Sequence, residues 1–352
     1  MHVPTARHPS RSSTDGFTLI ELLVVVAVMS AVSLMAFGLS TEDRAQIRHD
    51  DTRLRLQSLR RAITGQLGPA TPDTIGGFIA DNGDLPSDLA TLLQPGSLLA
   101  QGVQQPLFDP VPDTATCASN GGETPLSDNA ALLVKGHRGD YLGSLTFNSH
   151  FRDGWGNEDG NSAADALNFG WAVVLKSADP NLTITSLGAD NALGGEDFAA
   201  DRSLNINAAD WLVPLQGWNV RVTNYSGADI IGKKMAVSLL VFRNTASGGQ
   251  WLRYSTPVAD VCLDGTGDGL VSAALCPQSV TFAFSANCKA GDTASGASLV
   301  PQGRHLLLVT SDTDNTLWNS TDSPEWDTGK RSFARIDAVA GIALPEARLE
   351  LR

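Results

Sequence analysis

One segment constrains this chain more than any other: an apolar run from Phe17 to Leu39, 23 residues interrupted by a single charge, Glu21. At about 1.5 Å per residue a helix of that length reaches about 34 Å, enough to cross a hydrocarbon layer of roughly 30 Å. An ordinary secretory signal would have a shorter apolar core followed by a small-residue cleavage site. The run predicts a single membrane span. The polar leader before it carries Arg7 and Arg11, which would hold that leader on the cytoplasmic side. Glu21 needs its own reason, because a carboxylate within a span costs about 2.5 to 3.5 kcal/mol on insertion scales and persists where a partner or a function offsets that cost.

The string GFTLIELLVVVAVMSAV, Gly16 to Val32, places a glycine, an aromatic residue and then Glu21, the fifth residue counted from Phe17, at the opening of the apolar helix. In this it resembles the class III leader of type IV pilins and type II secretion pseudopilins. The resemblance implies cleavage by a prepilin peptidase between Gly16 and Phe17, methylation of the new N-terminus at Phe17, and pairing of Glu21 with the Phe17 amine of a neighbouring subunit. That pairing would neutralise both groups and fix the axial register of a helical filament. Other pilin or pseudopilin subunits and an inner-membrane assembly platform are the implied partners. The implied location is the inner membrane, by a single-pass N-terminal helix with the head in the periplasm, and then the filament. Asp15 departs from the family pattern, in which lysine or arginine is usual beside the cleavage glycine; a plain signal anchor is the alternative reading.

Beyond Leu39 no proline interrupts the chain before Leu67, so the helix is predicted to continue to about that residue, with Gly38 as its soft point. Leu56, Leu59, Ile63 and Leu67 fall on one stripe that would pack beneath a sheet. Arg44, Arg48, Arg53, Arg55, Arg60 and Arg61 read either as a DNA-binding strip or as a solvated face balanced by Glu42, Asp43, Asp50 and Asp51. The whole-chain balance of 25 basic against 38 acidic residues, net −13, favours the solvated face and disfavours a nucleic-acid partner.

Residues 71–204 are rich in Gly, Asn, Asp and Pro between short apolar runs, the pattern of a small sheet with long connections. FIADNGDLPSDLATLLQP, Phe78 to Pro95, resembles the stretch after the pilin helix, in which an NG-x-LP turn leads into a short helix; the resemblance implies that helix at Ser87 to Leu93. RDGWGNEDG, the strand FGWAVVLKS and TSLGADNALGGEDFAAD then follow in order. This order resembles the C-terminal half of the major pseudopilin of type II secretion, in which such a loop closes the domain around calcium. Carried over by position, the carboxylates of Asp190 and Asp201 and the carbonyl of Leu187 are the implied ligands. Ala199 stands where the family usually has an aspartate, so Asp197 is the implied substitute; an acidic surface loop without calcium is the other reading.

Roughly 150 residues follow that loop. WNVRVTNY, MAVSLLVFR, SVTFAFSA, HLLLVTS and ARLELR read as strands separated by turns, with no long helical period among them, and predict an antiparallel sandwich. DGTGDG, Asp264 to Gly269, reads as a turn, since Leu275 occupies the place of the closing glutamate of a calcium loop. Cys117, Cys262, Cys276 and Cys288 allow three pairings, with Cys262–Cys276 favoured. Trp211, Trp218, Trp251, Trp318 and Trp326 are expected as buried sandwich residues, with a ligand-binding face as the alternative. No nucleophile elbow, HExxH helix or phosphate loop is present, and His137 and His305 lack metal-ligand spacing, so no enzyme is predicted.

The expected organisation is α+β. A cleaved leader (residues 1–16) precedes a long N-terminal helix (17–70, of which 17–39 spans the membrane). A pilin-like domain with a small antiparallel sheet (71–204) and a β-rich second domain (205–352) follow. The expected role is that of a minor pilin or pseudopilin at or near a filament tip. The alternative is an adhesin or substrate-recognition module, carried by the filament and directed at a secreted substrate or a surface ligand.

Overall fold

The computed structural model describes residues 18–65, 75–93, 103–104, 120–121, 133–143, 150–176, 180–245, 248–257, 259–267, 270–271, 274–284, 299–312, 323–324 and 333–352; within α1 the side chains of residues 34–42 are not described. The architecture is α+β, a long N-terminal helix with a β-rich remainder. Helix α1, Leu19–Thr64, runs 46 residues unbroken through Gly38 and is capped at its start by Thr18. It stops at Thr64 rather than near Leu67, because Gly65 closes the last turn by donating its N–H to the Arg61 carbonyl. Helix α2, Gly77–Asn82, packs against α1. Among the described residues, the helix expected at Ser87 to Leu93 is a single 3₁₀ turn, Ala90–Leu92, at whose start the Asp88 side chain accepts the Thr91 N–H. Strands β1 (Val103–Gln104), β2 (Asn120–Gly121) and β3 (Val134–Lys135) are two residues each.

Helix α3, Ser162–Asn168, precedes an antiparallel meander of β4 (Ala172–Lys176), β5 (Asn181–Ser186) and β6 (Arg202–Ile206). Strand β5 alternates strictly, so Leu182 and Ile184 turn inward while Thr183 and Thr185 pair outward with Asn205 and Ser203. The inward face meets Leu56, Leu59 and Ile63 of α1, together with Phe78, Ile79, Phe151, Trp171 and Trp211. Three of the four stripe positions read from the sequence are therefore core, and Leu67 lies outside the described residues.

The remaining strands are β7 (Leu212–Pro214), β8 (Asn219–Asn224), β9 (Ile230–Thr245), β10 (Gly248–Ser255), β11 (Ala259–Leu263), β12 (Leu270–Val271), β13 (Ala274–Leu275), β14 (Ser279–Ala283), β15 (Leu299–Pro301), β16 (Gly303–Asp312), β17 (Ser323–Pro324), β18 (Phe333–Ala338) and β19 (Ala347–Leu351). The long strand β9 carries β10, β11 and β16 on its flanks, with β2 added beyond β10 and β17 and β18 beside β16. A three-stranded sheet β14-β8-β19 shares a core with it, built from Val220, Val222, Val237, Leu239, Val241, Leu307, Val309 and Leu349. One pairing differs from the antiparallel expectation: β19 runs parallel to β8. The chain reaches β19 by crossing over through β15 to β18, and such a connection carries no requirement for an antiparallel return.

Two strands serve both cores. In β7, Leu212 belongs to the core around α1 and the next residue, Val213, to the β-sheet core. Its antiparallel partner β15 does the same with Leu299 and Val300. Successive side chains of a strand face opposite ways, so this ribbon contributes one face to each core.

A second device orders the region before β4. Asp153 is buried, and its carboxylate accepts the backbone N–H groups of Trp155, Gly156 and Asn157 at 2.8–3.1 Å. It also accepts Asn157 Nδ2 at 2.9 Å and Ser186 Oγ at 2.5 Å. Asn157 in turn donates to the Gly188 carbonyl, which joins the WGN turn to the loop after β5. Gly154 lies against α1, where a Cβ would collide with the Arg48 carbonyl and Thr52. Arg152 clamps α3 by a two-pronged bond to Asp165 at 2.7 and 2.8 Å, and that guanidinium holds the Asp165 carboxyl down at about 2.

Leu59→Ala should lower unfolding free energy by about 2–5 kcal/mol, whereas Leu54→Ala, on the exposed side of α1, should stay within about 0.5 kcal/mol. Urea titration of the chain in detergent micelles checks both. Asp153→Ala leaves several buried donors without an acceptor and should cost about 3 kcal/mol or more. Limited proteolysis should then find new cleavage between residues 187 and 201.

Candidate functional site

Thr18 sets the start of α1 through a capping box: its Oγ1 accepts the Glu21 N–H at 3.3 Å, and the Glu21 carboxylate accepts the Thr18 N–H at 2.9 Å and its hydroxyl at 3.0 Å. In the single chain, then, Glu21 is satisfied within its own first turn. A neighbouring amine would have to compete with Thr18 for it. Around Glu21 the helix exposes Leu19, Ile20, Leu22, Leu23, Val24, Val25, Val26, Val28, Met29 and Val32 to every side, and no intrachain core covers them among the described residues. Gly16 and Phe17 lie outside the described residues. Among the described residues no helix is long and apolar enough to cross a membrane.

The loop between β5 and β6 gathers the implied calcium residues. Leu187 precedes a 3₁₀ turn, Gly188–Asp190, and Asp197 opens a second one, Asp197–Ala199, in the left-handed region at φ 53°. Asp190 Oδ1 accepts the Ala192 N–H at 3.2 Å, and Asp201 Oδ2 accepts the Gly194 N–H at 3.0 Å. Asp201 Oδ1 is buried and makes no hydrogen bond among the described residues. A buried carboxylate oxygen without a donor is costly, and a hard cation is one group that satisfies it. No cluster of three or more His, Cys, Asp or Glu side chains able to hold a metal occurs among the described residues. A cation here would draw on backbone carbonyls beside the aspartates. Phe198 anchors the loop, its ring edge-on to His49 of α1 and tilted against Trp155, while Arg202 Nε donates to His49 Nε2.

Elsewhere the sequence candidates are distributed as follows. Cys262 is joined to Cys276 with their Cα atoms 5.5 Å apart; Cys117 and Cys288 lie outside the described residues. The disulfide closes the segment that includes DGTGDG, where Asp264 Oδ1 takes the N–H groups of Thr266 and Gly267 as a turn residue does. Trp211 and Trp218 are buried, with their indole N–H groups donated to the Pro180 and Pro345 carbonyls. The side chains of Trp251, Trp318 and Trp326 lie outside the described residues. Of the arginines on α1, Arg55 pairs with Asp51 and stacks over Phe151, and Arg60 reaches Asp210 at 2.9 Å. These two are structural ties to the head.

Sequence reading missed a buried polar junction. Lys135 is buried, donates to the Ala80 carbonyl at 2.7 Å, and burial pushes its ammonium down to about 8. His305 is buried beside it, and Asn82 and Asn244 are hydrogen-bonded across the same seam at 3.0 Å. Nothing in local spacing joins residues 82, 135, 244 and 305.

A prokaryotic N-terminal methylation motif matches residues 11–37. No curated protein and no solved structure matches the chain. The matched stretch includes Gly16, Phe17 and Glu21 and continues into the apolar part of α1. The N-terminus is thus a class III prepilin leader, which supports a type IV pilin-like or pseudopilin subunit.

Proposed function

We propose that this chain is a minor subunit at or near the tip of a type IV pilin-like filament of the secretion type. In this reading it is held in the inner membrane by α1 before assembly, with its head in the periplasm. Prepilin peptidase cuts after Gly16, Phe17 is methylated, and an assembly platform passes the subunit to its neighbours. The C-terminal half of α1 lying over the β4-β5-β6 meander supports pilin-like packing.

The observation that carries the tip assignment is the attachment of the β-rich part to the far end of α1. Arg60 pairs with Asp210, and Gln302 Nε2 donates to the Thr64 carbonyl in the last turn. The added mass therefore sits at the opposite end from the apolar segment that enters the filament core, about 69 Å along a helix of 46 residues. There it would obstruct a subunit stacked above, a conflict that vanishes at the tip. The same placement turns the disulfide-closed hairpin outward, with Leu275 87% exposed, and this favours recognition of a secreted substrate or surface as a second role.

Mass spectrometry of the mature chain should find a methylated N-terminal Phe17; a chain beginning at Met1 in cells that possess the peptidase removes the assignment. Glu21→Ala should insert in the membrane but enter filaments poorly, as read by the ratio of sheared-filament to membrane-bound protein. For the loop, the orphaned Asp201 Oδ1 supports calcium, with Asp190, Asp197 and the Leu187 carbonyl as further donors. Thermal unfolding should shift upward with calcium over chelator in the wild type and lose that shift in Asp201→Asn, whereas identical curves in the wild type count against the site.

A further inference from the structure

The two cores meet at the turn Pro301–Gly303 between β15 and β16. Gln302 donates its N–H to the Trp211 carbonyl at 2.7 Å and its Nε2 to the Thr64 carbonyl at 2.5 Å, so a single residue ties the end of α1 to the shared ribbon. Gly303 presses on α2: a Cβ there would stand 3.0 Å from the Ala80 carbonyl oxygen. That carbonyl accepts Lys135 Nζ from β3, and Asn244 of β9 donates to Asn82 of α2 alongside. His305, two residues into β16, is buried, and its Nε2 donates to the Pro301 carbonyl at 2.8 Å. This bond places the proton on Nε2. Nδ1 is left buried with no hydrogen-bond partner among the described residues.

We propose that the Pro301–Gly303 turn is a latch holding the β-rich part against α1 and α2, and that acid releases it by protonating His305. A second proton on the ring would sit on Nδ1, where no acceptor waits. The groups facing the junction are Asp81 and Asp84 from α2 and the turn after it; Lys135, His137, Arg138 and Tyr141 from β3 and its following turn; Arg243 from β9; Arg304 from β16; and Asp337 from β18. Of the carboxylates, Asp81 is paired with Arg138 and receives the Tyr141 hydroxyl, Asp337 is paired with Arg304, and Asp84 accepts the Leu85 N–H and faces Arg243. His305 is thus left with two cationic neighbours, Lys135 and Arg243. Opening the turn would hydrate both Nδ1 and the Lys135 ammonium, so the closed state already holds polar groups that favour release.

Burial first, and then the Lys135 charge, pushes the His305 imidazole down to about 3. A group depressed in the closed state stabilises that state fully above its ordinary value near 6.5, and the contribution is lost as pH falls through about 3. Asp81 and Asp84, raised by burial, act with the opposite sign at the acid end. Their effect survives replacement of His305, so a variant at that position isolates the imidazole.

The test is hydrogen–deuterium exchange of the full-length protein in detergent micelles from pH 7 to pH 4, corrected for intrinsic rates. It follows residues 77–83 and 299–306 against residues 181–186 and 219–224 inside the two cores. In the wild type the opening equilibrium at the junction should rise by up to about tenfold per pH unit below about 6.5, with both core segments still protected. His305→Gln keeps a side-chain N–H for the Pro301 carbonyl but takes no proton, and should flatten that rise. Gln302→Ala removes the tie to Thr64 and should speed junction exchange about fivefold at pH 7, a readout that stands even if the His305 variant fails to fold. Equal acid opening in His305→Gln and wild type, no change in Gln302→Ala, or simultaneous loss of protection in both cores would each overturn the latch.

Discussion

The sharing of the β7–β15 ribbon between two cores is the constraint on which the rest of the head depends. Three residue pairs hold the ribbon together, Leu212↔Pro301, Val213↔Val300 and Pro214↔Leu299, and a pair of three-residue strands has little stability of its own. It persists because Leu212 is buried in the core around α1 with Leu299 packed partly buried against it, while Val213 and Val300 are buried in the core of the two β-sheets. Removing either core would expose one face of the ribbon to water. The β-rich part is therefore fastened into the helix-bearing part and does not hang from it by a flexible linker.

That fastening changes how the first core should be understood. The stripe Leu56, Leu59 and Ile63 packs against the β4-β5-β6 meander, but Trp211 and Leu212, which lie beyond the meander in sequence, complete the same cluster. The ties at Arg60–Asp210 and Thr64–Gln302 then carry the end of α1 directly into the β-rich part. A displacement of α1 along its axis would reach the β-sheets through these few contacts, which gives the 301–303 turn its position in the fold.

The candidate loop was legible in part. GADNALGGEDFAAD announces itself by glycines and acidic residues, and the structure folds it into two 3₁₀ turns in which Asp190 and Asp201 each cap a backbone N–H. Its supports were not legible, because Asp153 reaches Ser186 and Asn157 reaches Gly188 from more than 30 residues away. Of the β strands, β5, β6, β7, β10, β11, β15 and β18 were not read from the sequence, whereas β4, β8, β9, β14, β16 and β19 were recognisable from their apolar runs. Their pairing was not, since β19 alongside β8 in parallel depends on where a long crossover returns the chain.

The sequence by itself determined the N-terminal motif: an apolar helix opened by a glycine, an aromatic residue and a glutamate is a local pattern, and local patterns survive in one dimension. It also determined which residues of α1 face inward, because helical period converts spacing directly into a face. Only the tertiary structure decided that Lys135, His305, Asn82 and Asn244 share one buried seam and that Gln302 closes on Thr64, 238 residues away. The physical reason is that a buried polar group is defined by what surrounds it. Those surroundings come from distant segments whose meeting is set by the packing of two cores, and nothing in the local sequence records it.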